Sequence, residues 1–212
     1  MCYNIHNLNE RENMIDTVVT NEQLVDDPVN TTAINERALE IPIGIRFLNH
    51  YPMESVDELG AVMCFYGLQE HRIVDLFEKD NPAGLVHNVD AMDWDFTGRN
   101  VLSLSTVEHI GLSDYDNTDL RPEKAIEVCE KIIAEADNYL ISWGLLYHDV
   151  LDTWVKEQIA KDRFDWCAYT KDTSEREWTY RGQDMVSFDE KYKFDSKYKY
   201  ANSNIFIQNK GA

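Results

Sequence analysis

The chain lacks the patterns that would send it into a membrane or fold it around a metal. No apolar run approaches the ~18 residues of a bilayer span. The opening "MCYNIHNLNERENMIDTVV" has no basic start ahead of an apolar block, so no secretory leader is expected. The four cysteines, Cys2, Cys64, Cys129 and Cys167, form no CxxC pair and stand at no zinc spacing with histidine. They read as reduced thiols of a cytoplasmic protein, with no metal site expected. Neither GxGxxG nor GxxxxGK followed by Ser or Thr occurs, so a dinucleotide pyrophosphate or a triphosphate has no cradle. Positive charge is scarce: 20 Lys and Arg face 39 Asp and Glu, for a net charge of −19. Such a surface repels a phosphate backbone, so no nucleic-acid partner is expected. The one basic cluster, "EKYKFDSKYKY" at 190–200, is interleaved with acids and reads as a solvated edge. The acidic surplus itself reads as solubility, as adaptation to salt, or as an acidic mimic of DNA.

What is present is a globular core. Hydrophobic residues make up 43% and aromatics 11% of 212 residues, enough for one packed domain. Residues 1–33 are polar, with little apolar pattern beyond "MIDTVV", and are expected to form an arm that docks on the body or on another subunit. The domain proper is expected over 34–212. "NERALEIPIGIRFLN" (35–49) has near-helical apolar spacing, and Pro42 and Gly44 predict a kinked helix. Short apolar runs at 55–62, 71–77, 84–90 and 99–109 read as four strands. "RPEKAIEVCEKIIAEAD" (121–137) reads as an amphipathic helix opened by Pro122, "NYLISWG" (138–144) as a fifth strand, and "HDVLDTWVKEQIAK" (148–161) as a second amphipathic helix. "RFDWCAYTKD" and "ANSNIFIQNK" are expected to be strands. The links between 62 and 84 look short for full helices. Strands alternating with helices predict an α/β domain with a mostly parallel sheet.

In open α/β sheets, ligands sit beyond the carboxyl ends of the strands. Standing there are Glu58, Gly60 and Ala61 after the first strand, Asp75 after the second, Asp90 and Ala91 after the third, and Ser103, Ser105, Thr106, Glu108 and His109 at the fourth. Ser142, Trp143 and Gly144 end the fifth, followed by Tyr147 and His148. A glycine after strand one lets backbone approach a ligand closely. An acid ending strand two can accept from vicinal ribose hydroxyls, and one after strand three from an adenine amine. The order fits a nucleoside without phosphates, such as S-adenosylmethionine.

Residues 35–208 resemble a small group of class I S-adenosylmethionine-dependent methyltransferases. That group carries "VLEVGxV", "HxVVDxYE" and "SISTLEHVG" strands. This chain has "VDELGAV" at 56–62, "HRIVDLFE" at 71–78 and "LSLSTVEHIG" at 102–111, with "NERALEIP" and "ANSNIFI" matching the ends. The resemblance implies a Rossmann-like methyltransferase sheet, mostly parallel with an antiparallel last strand and helices on both faces. It implies S-adenosylmethionine as cofactor, with Glu58, Gly60 and Ala61 at its methionine and ribose side, Asp75 on the ribose, and Asp90 and Ala91 near the adenine. Ser103 and Ser105 would lie under the sulfonium, and Glu108 and His109 would face the methyl or its acceptor. Trp143 stands where the group often has proline, and with Tyr147 and His148 it would line the pocket of a small-molecule acceptor, a sugar or other metabolite. The absence of an Asn/Asp-Pro-Pro-Tyr tetrapeptide disfavours methylation of nucleic-acid bases.

The departures are Asp57, where the group has an apolar residue, and a single glycine in the first loop. They keep open a fold that binds the cofactor, or has lost turnover, and serves as an acidic binding or scaffold partner. A nucleotide-using oxidoreductase is disfavoured by the missing dinucleotide fingerprint. His109 has three readings: a brace for the following loop, a general base, or a metal ligand shared with Glu108. His148 reads either as a second imidazole at the mouth or as the opening of the helix with Asp149. The aromatics Trp143, Tyr147 and Trp178 read as an acceptor floor or as core.

Overall fold

Short apolar strands and amphipathic helices alternate along the chain, and each helix covers one face of a single sheet. A computed structural model describes residues 15, 18–24, 34–68, 70–78, 86–114, 120–172, 177–192 and 202–211. Eight strands pair within them: β1 (Val56–Leu59), β2 (Arg72–Val74), β3 (Val86–His87), β4 (Asn100–Leu104), β5 (Asn138–Gly144), β6 (Asp165–Thr170), β7 (Thr179–Gly182) and β8 (Ser203–Gln208). Their order across the sheet is β3-β2-β1-β4-β5-β8-β6-β7. β1 to β5 pair in parallel, and β8 runs antiparallel to both β5 and β6. The expected α/β class and the antiparallel last strand are both observed. β7, antiparallel to β6 across a bulge between Ala168 and Tyr169, is an addition the apolar pattern did not mark.

Side chains alternate between the two faces with the period of two that a pleated strand imposes. Val101, Tyr139, Ile141, Trp143, Ala168, Ile205 and Ile207 pack on one face beneath α2 (Glu123–Glu135) and α3 (Asp149–Ala160). Leu102, Leu104, Leu140, Cys167, Tyr169 and Phe206 pack on the other beneath α1 (Arg37–His50). With both faces covered, the central strands are buried along all but the first residue of β5, Asn138, which is why their apolar residues run on without alternation.

The two residues that disturbed the helical reading of α1 stay inside it. Pro42 removes the donor that would have met the Ala38 carbonyl. Gly44 is a packing residue: a β-carbon there would stand 2.9 Å from Leu104 Cδ1 and 2.9 Å from Met63 Sδ. The link after β1 holds only a 3₁₀ turn, Met63–Tyr66, in keeping with its short length. From the polar arm, Ile15 and Val19 are buried against the α1 side, and the Val19 amide donates to the Tyr169 hydroxyl at 3.0 Å. The rest of the arm and residues 193–200 of the basic cluster lie outside the described residues. Cys64, Cys129 and Cys167 are buried and form no disulfide among the described residues. Among the described residues no helix is long and apolar enough to cross a membrane.

Asp57 explains its own departure from an apolar pattern. Its side chain is wholly buried, yet it accepts five hydrogen bonds. Arg72 Nε and Nη2 reach it at 2.8 and 3.0 Å, Arg99 Nε and Nη2 at 3.0 and 2.8 Å, and Trp94 Nε1 at 2.9 Å. Arg72 faces Asp57 in the β1–β2 register. A buried carboxylate is tolerated when its lone pairs are this fully used.

Candidate functional site

The carboxyl ends of β1, β2, β3 and β4 open onto one cavity of about 280 Å³. Gly60, Ala61, Asp75, Asp90, Ala91, Ser105, Thr106 and His109 line it, so eight of the residues picked from strand ends converge. Arg37, Glu78, Asp114 and Lys124 complete its polar lining, and Leu76, Phe77, Val89 and Ile110 add apolar wall.

The first loop is built by a buried acid. Glu58 Oε1 accepts from the Val62 and Met63 amides at 3.0 and 2.8 Å, and its Oε2 meets His71 Nε2 at 2.6 Å. Gly60 turns the chain at φ +87° and donates its amide to the Val74 carbonyl at 3.0 Å. Asp75 Oδ1 accepts from the Phe77 and Glu78 amides, both at 2.8 Å, whereas among the described residues Oδ2 has only the Ala61 amide at 3.3 Å. That oxygen keeps acceptor capacity toward the cavity. Asp90 accepts from the Met92 amide at 3.0 Å and pairs with Lys124 Nζ at 2.5 Å.

Strand β4 ends in strained backbone. Ser105 sits at φ +39°, a region L-residues avoid, and is held by three flanking interactions. Its amide donates to the Ser142 carbonyl at 3.0 Å, its hydroxyl donates to Glu40 Oε1 at 2.6 Å, and Thr106 Oγ1 donates to the Leu104 carbonyl at 3.1 Å. Glu40, buried on α1, also accepts from Ser142 Oγ at 2.6 Å and Asn204 Nδ2 at 3.2 Å, and pairs with Arg37 Nη1 at 2.7 Å.

At the rim, His109 Nδ1 lies 2.8 Å from Asp114 Oδ2, which also accepts from the Tyr147 hydroxyl at 2.7 Å. The His109 and Tyr147 rings meet edge to face at 5.1 Å. Burial lowers the His109 pKa, with Asp114 opposing it, so the imidazole is neutral at pH 7. Burial pushes Asp114 up, but hydrogen bonds from His109 and Tyr147 outweigh it and hold the carboxyl below its usual range. An ionised Asp114 fixes the proton on Nδ1 and leaves Nε2 as an acceptor.

Seven residues expected at the site do not line the cavity. Glu58 is buried under the loop it shapes. Ser103 points into the covered face of the sheet, its hydroxyl without a partner. Glu108 is buried, and its Oε1 accepts from the Gly144 amide at 3.3 Å. Burial, then the neighbouring Glu40, push its pKa up to about 8, so it is protonated at neutral pH. Its Oε1 is thus turned to a strand amide, and the residue does not line the cavity. Trp143 is core: its Nε1 donates to Asp152 Oδ1 at 3.1 Å and its ring packs under α3. His148 caps α3, with Nδ1 accepting from the Leu151 amide at 3.1 Å, so the helix-opening reading holds. Tyr147 does not line the cavity but touches two residues that do, Asp114 and His109. Trp178 is buried on the α1 side beneath Lys171.

Four polar lining residues escaped the sequence reading. Arg37 opens the quoted "NERALEIP" helix and Lys124 the "RPEKAIEV" helix, and nothing in either apolar pattern marks a charge turned toward a cavity. Asp114 lies in the acidic loop after Gly111, five residues from His109, a spacing with no regular periodicity. Glu78 ends the quoted "HRIVDLFE" run but was not singled out. No protein-family model matches the chain, and no curated protein sequence matches it.

Proposed function

We propose that the chain is an S-adenosylmethionine-dependent methyltransferase acting on a small-molecule hydroxyl acceptor, such as a sugar or another metabolite. One observation carries the reading: Gly60, Asp75, Asp90 and His109, from four successive strand ends, line a single cavity. A mostly parallel sheet with an antiparallel last strand and helices on both faces is the arrangement the methyltransferase resemblance implies.

The residues present fit the cofactor's chemistry. Asp75 Oδ2 offers acceptor capacity for ribose hydroxyls, Asp90 offers a carboxylate for an adenine amine, and Gly60 and Ala61 bring backbone to the cavity wall. When bound, S-adenosylmethionine supplies a methyl group already activated on sulfonium. The protein's part is alignment and exclusion of water, which supply much of the rate. His109 Nε2 takes the proton of an acceptor hydroxyl, and Asp114 steadies the imidazolium that results. Tyr147 orients Asp114 from the far side.

Binding without turnover is a second reading, favoured by Lys124, which already occupies Asp90 at 2.5 Å. Calorimetry of the purified chain with S-adenosylmethionine and S-adenosylhomocysteine tests both. The expected result is saturable binding of each, and no heat with either at millimolar ligand rejects the reading. Binding with no methyl transfer across a broad panel of hydroxyl compounds selects the second reading.

A further inference from the structure

We infer that Arg37 is a carboxylate-binding residue: its guanidinium, fixed by Glu40 at the cavity wall, receives the carboxylate of a bound ligand. The inference rests on the methyltransferase reading for the identity of that ligand.

Arg37 lines the cavity at the start of α1. Its Nη1 is spent, donating to Glu40 Oε2 at 2.7 Å and to the Leu104 carbonyl at 2.9 Å. Among the described residues its Nε and Nη2 donate to no one. A guanidinium carries five donors in a planar fork, and the unspent pair is the set that grips a carboxylate side on. The fork is also preorganised. Glu40 is wholly buried and locked by Ser105, Ser142 and Asn204, so the arginine is held from behind by β4, β5 and β8 together. Little side-chain entropy is left to lose when an anion arrives. The rest of the polar lining sorts by sign. Asp75, Asp90, Glu78 and Asp114 are acids, and Lys124 is taken by Asp90, so Arg37 is the cation whose donors are unspent among the described lining residues. Glu108 is protonated below about pH 8, and burial also raises the pKa of Glu36, the other carboxyl group acting on the arginine besides Glu40.

The proposed reaction can bring a carboxylate from two sources: the amino-acid end of the cofactor, or an acidic acceptor. Full-length protein is titrated by calorimetry with S-adenosylhomocysteine, which has the carboxylate, and with 5′-methylthioadenosine, which has the same nucleoside and sulfur without it. Two variants are compared with wild type. Arg37→Lys keeps a charge for Glu40. Arg37→Met with Glu40→Gln removes both charges while a glutamine carbonyl still accepts from Ser105 and Ser142, and it covers the case in which the single variant fails to fold. If the carboxylate is the cofactor's, the variants bind S-adenosylhomocysteine about 10- to 100-fold more weakly and 5′-methylthioadenosine as wild type does. If it is the acceptor's, both nucleosides bind unchanged. Glycerate, lactate or salicylate then binds the S-adenosylhomocysteine-loaded wild type and not the variants. Unchanged affinity for both nucleosides, with none of the three acids binding loaded wild type, overturns the carboxylate site and leaves the methyltransferase reading standing. Failure of wild type to bind either nucleoside sinks the methyltransferase reading itself.

Discussion

Gly60 and Thr106 occupy the same space in turn: a β-carbon on Gly60 would stand 2.0 Å from Thr106 Oγ1 and 2.9 Å from Thr106 Cβ. The loop after β1 and the end of β4 are thus locked together where the cavity wall forms. Gly60→Ala must relieve both this overlap and a φ of +87°. The expected loss is about 2 kcal/mol or more, a fall in Tm of roughly 4–8 °C for a chain of this size. Thermal denaturation measures it, and an unchanged Tm would show that the loop can move away from β4.

Asp57 is the second position where one substitution should tell. Asp57→Asn leaves two guanidinium groups close together with half their acceptor strength gone. Breaking a buried ion cluster from the carboxylate side costs about 3 kcal/mol. Urea denaturation should show a lower midpoint with the same slope. A change under about 1 kcal/mol would mean that Arg72 and Arg99 find water on their exposed sides.

Glu108 makes stability depend on pH in a defined window. Its pKa is raised from 4.5 to about 8 in the fold, so between those values the native state holds a proton the unfolded chain has released. The native state is then favoured at low pH. The stabilisation is complete below about pH 4.5 and is lost as pH rises to about 8, by which point the carboxyl must ionise in a dry site. Glu108→Gln keeps an acceptor for the Gly144 amide and removes the titration. Wild type minus variant stability should therefore fall across that window by a few kcal/mol and be flat outside it. Chemical denaturation in a pH series reads the difference directly, and a flat difference throughout refutes it.

His109 should titrate low. Its lowered pKa keeps the imidazole neutral through pH 6.5, and Asp114 is the group holding it up against burial. Asp114→Asn should move the His109 titration further down, as read from its ring carbon and proton shifts by NMR. In the methyltransferase reading, His109→Ala lowers turnover of a hydroxyl acceptor about 10²- to 10⁴-fold. The acid limb of kcat/KM in Asp114→Asn should shift with the NMR titration. An upward shift in that variant would contradict the pairing geometry.

How much of this was legible depended on whether the signal was local. β5 was bounded from the sequence at 138–144, and its apolar residues are buried on both faces. α2 and α3 were found from one-sided patterns that the structure places against the sheet. β7 went unseen because Thr179–Gly182 is a partly exposed edge with no apolar alternation. Strand ends located the cavity but not the direction of each side chain. Ser103 shares a face with Val101, so it is buried under α2 and α3, while Ser105, beyond a left-handed turn, lines the cavity. Asp57 looked misplaced because its two arginines come from 15 and 42 residues away in the chain. Glu40, the acid on which three strands converge, looked like one more charge on an amphipathic helix.

The insertion of β8 between β5 and β6 has a consequence for the nascent chain. As the protein emerges from the ribosome, β5 and β6 are made about 60 and about 30 residues before the strand that separates them, and until Ser203–Gln208 has cleared the exit tunnel the middle of the sheet is an open slot with two bare edges. Glu40 waits as well, since Asn204 arrives only with that strand. Residues 203–208 therefore close the sheet, and a chain stopped before residue 203 leaves the facing edges of β5 and β6 without the strand that joins them.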